Sequence, residues 1–209
     1  MAVIHRTTLD PSKMELLARW LPSRPWYSGP GRAEDLRRVG GFRLDDPAGA
    51  VGIELLAVFD TGSAEPMTYF VPLGYREGEL ANAADGLLGT AEHGVLGTRW
   101  IYDGSRDPVV VDRMVALLAG GATPQHGTDS DTPDTTVLVA AADLPAGGSA
   151  AVSAAENPVG TDITVADGML RVHRVLGRGE PVLRTGQVLL PWTAPDGATV
   201  RSVVLSELR

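Results

Sequence analysis

Apolar residues recur at helical spacing near the start of the chain. Met14, Leu17 and Leu21 share one face, with Trp20 beside them. This period predicts an amphipathic helix with one face on a core. Asp10 is placed to cap it, Pro11 suits its first position, and Pro22 ends it. A Pro/Gly/Ser-rich loop, Pro22 to Gly31, follows and carries Trp26 and Tyr27. The pattern then changes to short apolar runs. These are Gly41 to Leu44, Val51 to Phe59 around Glu54, Thr68 to Tyr75 with Tyr69, Val71 and Leu73 on one face, and Val95 to Tyr102. DDPAG, DTGSAEP and REGE separate them, and such turn chemistry predicts an antiparallel meander. Asp107-Pro108 opens a second helix with Val110, Met114, Leu117 and Leu118 as its stripe and Gly120-Gly121 as its stop.

Residues 120–136, GGATPQHGTDSDTPDTT, have almost no apolar content and read as a flexible linker or an exposed ordered loop. Beyond them, Val137 to Ala142, Asp162 to Ala166, Met169 to Leu176, Val182 to Leu190 and Thr199 to Leu208 each suit a strand. Turns are expected at Ala146-Gly147-Gly148 and Pro195-Asp196-Gly197. The expected organisation is an α+β domain over 1–119, a linker over 120–136 and a β-rich region over 137–209.

Composition narrows the partners. The chain has 209 residues, 44% hydrophobic and 21% charged, enough to bury a core. Aromatics are 5%, so the core is mostly aliphatic. The net charge is -8, split evenly between residues 1–119 and 120–209. An acidic surface repels phosphate backbones and anionic lipid, so no nucleic acid and no membrane are expected as partners. With no cysteine, disulfides, thiolate zinc sites and a cysteine nucleophile are excluded. No apolar run approaches the roughly 20 residues of a membrane helix. The start, MAVIHRTTLD, lacks a signal peptide's apolar stretch, and the expected location is cytoplasmic. Of 18 basic residues only Lys13 is a lysine, so chemistry that needs a lysine has one candidate.

The candidate chemistry is sparse. His5, His93, His126 and His173 lie far apart in sequence, and no metal site is expected. Asp45-Asp46 before Pro47 either hold Mg²⁺ or a sugar hydroxyl, or close a hairpin, the favoured reading. Gly89 to Gly97 gathers three glycines, Thr90, Glu92 and His93. Glu92 and His93 suit an acid and a base, but sequence neighbours on a strand point apart, and a polar loop feeding the next strand is favoured. Glu54 faces solvent on a one-sided strand; buried, it needs a partner such as Arg43 or Arg99. G-x-S-x-G, G-x-x-x-x-G-K-[ST] and a strand-borne G-x-G-x-x-G are all absent.

Four stretches together resemble the N-terminal cap domain of bacterial maltokinases, which phosphorylate maltose with ATP. They are LDPSKMELLARWLPSRPWY (Leu9 to Tyr27), LRRVGGFRLDDPAGAVGIE (Leu36 to Glu54), YFVPLGYREGEL (Tyr69 to Leu80) and LLGTAEHGVLGTRWIYDGSRDPV (Leu87 to Val109). The resemblance implies a cystatin-like cap, a helix packed on a curved antiparallel sheet. The family's catalytic loop is of His-Gly-Asp type, and neither His93-Gly94 nor His126-Gly127 is followed by Asp. Glu156 to Leu176 is faintly similar to the family's phosphate-covering hairpin and following strand, with Arg171 where an ATP-pairing lysine stands. Arginine's planar fork is no neutral replacement for a compact ammonium there.

The pattern predicts an α+β fold, and the resemblance implies a cystatin-like cap with a second helix followed by a β-rich region; a free-standing cap-domain protein without the kinase catalytic lobe is the expectation. Its expected action is non-catalytic binding to a protein partner or to itself, accessory to α-glucan, trehalose or maltose metabolism or to a sugar kinase. Trp26, Tyr27, His93, Arg99 and Trp100 are the candidate binding residues, since aromatics and arginine anchor interfaces. Trp26 and Tyr27 as an aromatic plug on a small core, and Trp100 as hairpin packing, are the competing readings. No cofactor is expected. ATP and Mg²⁺ enter under the alternative, a divergent sugar kinase or its nucleotide-binding subunit, in which the β-rich region is a degenerate kinase upper lobe.

Overall fold

A computed structural model describes residues 8–129, 131–143, 151–166 and 168–208. The turn expected at Ala146-Gly147-Gly148 and residue His5 lie outside these. The strands are β1 (Leu9–Asp10), β2 (Leu36–Leu44), β3 (Gly52–Asp60), β4 (Met67–Arg76), β5 (Leu87–His93), β6 (Gly97–Asp103), β7 (Leu138–Ala140), β8 (Ala151–Asn157), β9 (Gly160–Val165), β10 (Gly168–His173), β11 (Val175–Leu176), β12 (Gln187–Thr193) and β13 (Thr199–Leu208). Two α-helices accompany them, α1 (Lys13–Trp20) and α2 (Pro108–Leu118). The fold is mostly antiparallel sheet with two short helices, the α+β class read from the pattern.

The helix boundaries follow from their caps. Asp107 accepts from the backbone N–H of Val109 and Val110, and Pro108 fills the first turn of α2, as the sequence indicates. α1 differs. Its cap is Ser12, not Asp10, because Ser12 and Glu15 form a reciprocal capping box. Asp10 lies instead in β1, opposite Glu92. The stretch Gly89 to Gly97 is also not a loop. It is most of β5 and a tight turn into β6.

The strands form one sheet among the described residues, in the order β1-β5-β6-β4-β3-β2-β12-β13-β10-β9-β8. The chain leaves β10 through Arg174 into β11, and β11 pairs with Thr68 and Tyr69 of β4. The circuit β4-β3-β2-β12-β13-β10/β11 therefore returns on itself. It is thinnest between β2 and β12, which share the single pair Gly40–Trp192. At the adjacent Gly41 (φ +131°), a Cβ would stand 2.4 Å from the Leu55 carbonyl oxygen, so only glycine fits the twisted backbone there.

Two cores lie on opposite sides of β3 and β4. Inside the circuit, Phe42, Leu55, Phe70, Val172, Val188, Leu190 and Trp192 pack with Val110, Met114 and Leu117 of α2. Outside it, Leu17, Trp20 and Leu21 pack on Leu56, Val58, Tyr69, Val71, Leu73 and Ile101. β3 and β4 are buried on both faces, so their sequences read as continuous apolar runs rather than alternations.

The described part of 120–136 is tied back to the sheet. Arg43 and Gln125 exchange both backbone hydrogen bonds at 2.9 Å, and Gln125 bridges Pro133. Strands from beyond residue 137 complete the sheet and the inner core begun before residue 119. The expected division at 119 therefore coincides with no break in the sheet, because the strands pair across it.

This integration has a measurable consequence. Urea unfolding followed by tryptophan fluorescence and by far-UV circular dichroism is expected to give one coincident transition. A fragment 1–119 is expected not to hold its fold, since it loses half of the inner core. Two separated transitions would show independently folding halves.

Candidate functional site

Where β4 changes partner, the sheet forks. Thr68 and Tyr69 pair with β11, while Leu73 to Arg76 pair with β6. Pro72 stands between, and its missing N–H falls on the forked edge, where no ladder partner exists. Arg174 fills the fork and is 0% exposed. Its backbone N–H bonds Val159 and its carbonyl accepts from Phe70. Its Nη2 lies 2.7 Å from both oxygens of Asp103 and 3.1 Å from Ser105 Oγ. Nε donates to Thr161 Oγ1 at 2.9 Å, and Nη1 reaches the Phe70 carbonyl at 3.4 Å. Asp103 also accepts from the Ser105 backbone and hydroxyl. A buried charge pair survives desolvation only when its remaining donors and acceptors are met, and here they are.

An aromatic cluster covers this pair. The Arg174 guanidinium lies 5.1 Å from the Trp26 ring centre, and Trp26 packs at a tilt against Trp20 and Tyr69, with ring centres 5.8 and 5.9 Å apart. Trp26 Nε1 donates to Glu156 on β8 at 3.0 Å, and Arg24 pairs with the same carboxylate at 3.0 Å. Tyr27 donates to Asp60 at 2.5 Å and accepts from Gly31. Burial, then the Asp60 hydrogen bond, push its hydroxyl well above the ordinary tyrosine value. Trp26 is only 4% exposed, so the geometry matches the aromatic-plug reading.

His93, Arg99 and Trp100 come together elsewhere, on the β5–β6 hairpin. Arg99 is buried, with Glu77 3.4 Å away. Trp100 is half-buried on the other face, between Arg76 and Thr90. His93 Nδ1 accepts from the backbone N–H of Val95 and Leu96 at 3.3 and 3.1 Å. This fixes the turn so that Val95 and Leu96 are 62% and 44% exposed. Glu92 bonds Thr98 across the hairpin at 2.6 Å. The structure thus splits the five candidate residues into a packed pair and a hairpin group.

The other candidates resolve locally. Asp46 accepts from the N–H groups of Ala48, Ala50 and Val51 and so closes the hairpin. Glu54 is buried, but its partners are Lys13 at 2.5 Å, Tyr75 at 2.8 Å and Arg38 at 3.4 Å, not Arg43 or Arg99. Burial pushes its carboxyl up, yet Lys13, Arg38 and Tyr75 outweigh that and hold it below the ordinary value. Arg171 grips Asp162 on β9 through two bonds of 2.6 and 2.8 Å. Among the described residues no group of three or more His, Asp or Glu side chains is arranged for a metal ion. No described helix is long and apolar enough to cross a membrane.

Arg174, Asp103 and Glu156 were not found from the sequence. A signal existed for the first two. Leu170, Val172, Arg174 and Leu176 share one strand parity, as do Arg99, Ile101 and Asp103, so each charge occupies a core-facing position.

The fold so assembled is an α+β sheet protein whose first half is a helix-backed meander with an exposed hairpin. Residues 20–107 match the family described as the maltokinase N-terminal cap domain, and over that stretch the resemblance read from the sequence is borne out. The match ends at Asp107, the cap of α2. The chain matches no curated protein.

Two tests follow. Trp26→Ala is expected to cost about 3–5 kcal/mol in urea unfolding, the usual result for a buried aromatic; an unchanged midpoint would make it a surface residue. His173 bonds Ser206 at 2.9 Å, and burial, then Arg171, lower its pKa from 6.5 to about 4. The unfolded chain therefore binds a proton that the native state refuses, and stability declines as pH falls from about 6.5 to about 4. His173→Gln is expected to flatten the decline in that window.

Proposed function

We propose that this protein is a non-catalytic cap-domain protein that acts by binding a protein partner through its β5–β6 hairpin. The observation that carries the reading is the hairpin tip. Val95 and Leu96 stand in solvent on a turn that the His93 ring holds in one geometry. Rigid presentation lowers the ordering cost of association, so two outward aliphatics on a fixed turn suit insertion into a partner's apolar pocket. Arg99 stiffens the hairpin from its core side, and Trp100 with Thr90 and Glu92 offers an adjoining polar rim. The family match supports a setting in α-glucan, trehalose or maltose metabolism, with a sugar kinase as the partner class. In the same reading the cap is cystatin-like, α1 being the helix on its curved sheet, and the protein works in a bacterial cytoplasm.

A second reading, a divergent sugar kinase or nucleotide-binding subunit, rests on one feature. Arg171 lies on β10 of the antiparallel β8-β9-β10 meander, and the faint resemblance to a kinase hairpin would put an ATP-pairing lysine at that position. Its tight engagement by Asp162 argues for a structural role instead.

Val95→Asp with Leu96→Asp is expected to leave the melting temperature nearly unchanged and to abolish capture of a purified maltokinase-type sugar kinase. Unchanged capture by the folded variant would remove the hairpin from the interface. ATP–Mg²⁺ is expected to leave the melting temperature unmoved. Stabilisation near 2.7 kcal/mol at about a hundredfold excess over the dissociation constant, lost in Arg171→Ala, would favour the kinase reading.

A further inference from the structure

The α1-facing side of β2, β3 and β4 carries a polar group that neither the fold nor the hairpin requires. Gln125, Arg43 and Glu54 are successive partners on adjoining chain segments, so their side chains share one face. Lys13 and Tyr75 meet over the Glu54 carboxylate, the Lys13 ammonium 5.6 Å from the Tyr75 ring centre. Arg38 leans across the glycine pair 40–41 toward the same carboxylate. It is held at 3.4 Å from Glu54 Oε1 and at 3.4 Å from the Gly40 carbonyl. Gly127 makes room for it, since a Cβ there would stand 2.2 Å from Arg38 Nη2.

The charges do not balance. Lys13 takes one carboxylate oxygen at close range, and Arg38 makes only a long contact with the other. Arg43 has no ion pair and no side-chain hydrogen bond among the described residues. Lys13 also sits at the first position of α1, where the helix dipole disfavours a cation. Three cations therefore face one contacting carboxylate. Even with Asp45, two residues beyond Arg43 and itself engaged, counted as a second anion, three cations share this part of a chain whose net charge is -8. Two arginines flanking glycine 41 present planar donor forks, the geometry that matches phosphate oxygens. Lys13 and Arg38 remain about one-third exposed, with side chains at 37% and 33%, so the group is open to a small ligand.

We propose that Arg38, Arg43 and Lys13 form a binding site for a phosphate-class oxyanion, either free phosphate or a small phosphomonoester. Gln125 pairs with Arg43 through its backbone, and its side-chain amide, which donates to the Thr123 carbonyl at 3.4 Å, keeps a second N–H for the ligand. Glu54 is the fixed counter-charge that holds Lys13 and Arg38 in place, while Arg43 is the arm that awaits the ligand. The site is remote in function from the hairpin and stands whether or not the hairpin reading does.

Lys13 is the sole lysine, so reductive methylation with ¹³C gives one side-chain ammonium signal besides the α-amino group, with its charge retained. Inorganic phosphate and glycerol phosphate are titrated separately into the full chain at constant ionic strength, with sodium chloride as control. The expected result is a saturable shift of the Lys13 signal with a phosphate ligand and none with chloride. Tighter response to glycerol phosphate identifies a phosphomonoester site, and tighter response to phosphate identifies the free ion. Arg43→Ala is expected to weaken the response at least about tenfold, and Arg43→Lys to weaken it less. No saturable shift with either ligand, or an unaltered titration in folded Arg43→Ala, overturns the proposal.

Discussion

The pair of Arg174 and Asp103 is the constraint on which the rest of the structure depends. Splitting β4 between two partners leaves an open seam in a sheet, and a seam buried among side chains cannot be filled by solvent. Pro72 removes one donor from that edge, and Arg174 supplies donors to the Phe70 carbonyl, Thr161, Ser105 and Asp103. The same arginine belongs to the chain segment that joins β10 to β11. One side chain therefore fixes where the returning chain meets the cap.

Several features follow from that position. Closing the circuit creates an inner space, which α2 and the inward faces of β10, β12 and β13 fill. Covering Arg174 draws the loop of Trp26 down onto the sheet, where Glu156 on β8 holds both Trp26 and Arg24. Trp26 and Tyr27, which a sequence reader takes for binding anchors, are thereby packed against the sheet, while Trp100 stays half-buried on the hairpin. The β5–β6 hairpin stays outward, with Val95 and Leu96 exposed at its tip.

Local signals were legible where one element decided the outcome. The second helix was readable from Asp107-Pro108 and Gly120-Gly121, and β3 and β4 from their apolar runs. α1 lies where its apolar spacing puts it, but Asp10-Pro11 mimics a cap while the true cap is Ser12 with Glu15. β5 was hidden by Gly89 and its polar side chains, and β8 by an alanine-rich sequence of low strand propensity. Non-local facts were not legible. Nothing near Glu54 in sequence names Lys13 or Arg38, and nothing in residues 120–136 shows that Gln125 pairs with Arg43. The sheet that passes without a break across the polar segment is set by pairings more than a hundred residues apart, such as Thr68 with Leu176. Strand parity around Arg174 was the one readable clue, and it becomes informative only once the core face is known.

The central claim is that the buried pair joins the two parts of the chain. A double-mutant cycle with Arg174→Met and Asp103→Leu tests it most directly, by urea unfolding at neutral pH. Each single variant strands a buried charge and is expected to lose about 3–5 kcal/mol. The double variant, with neither charge left, is expected to recover much of that loss, giving a coupling of about 2 kcal/mol or more. Additive losses with no coupling would contradict the account, because they would mean that the two side chains do not meet at the fork.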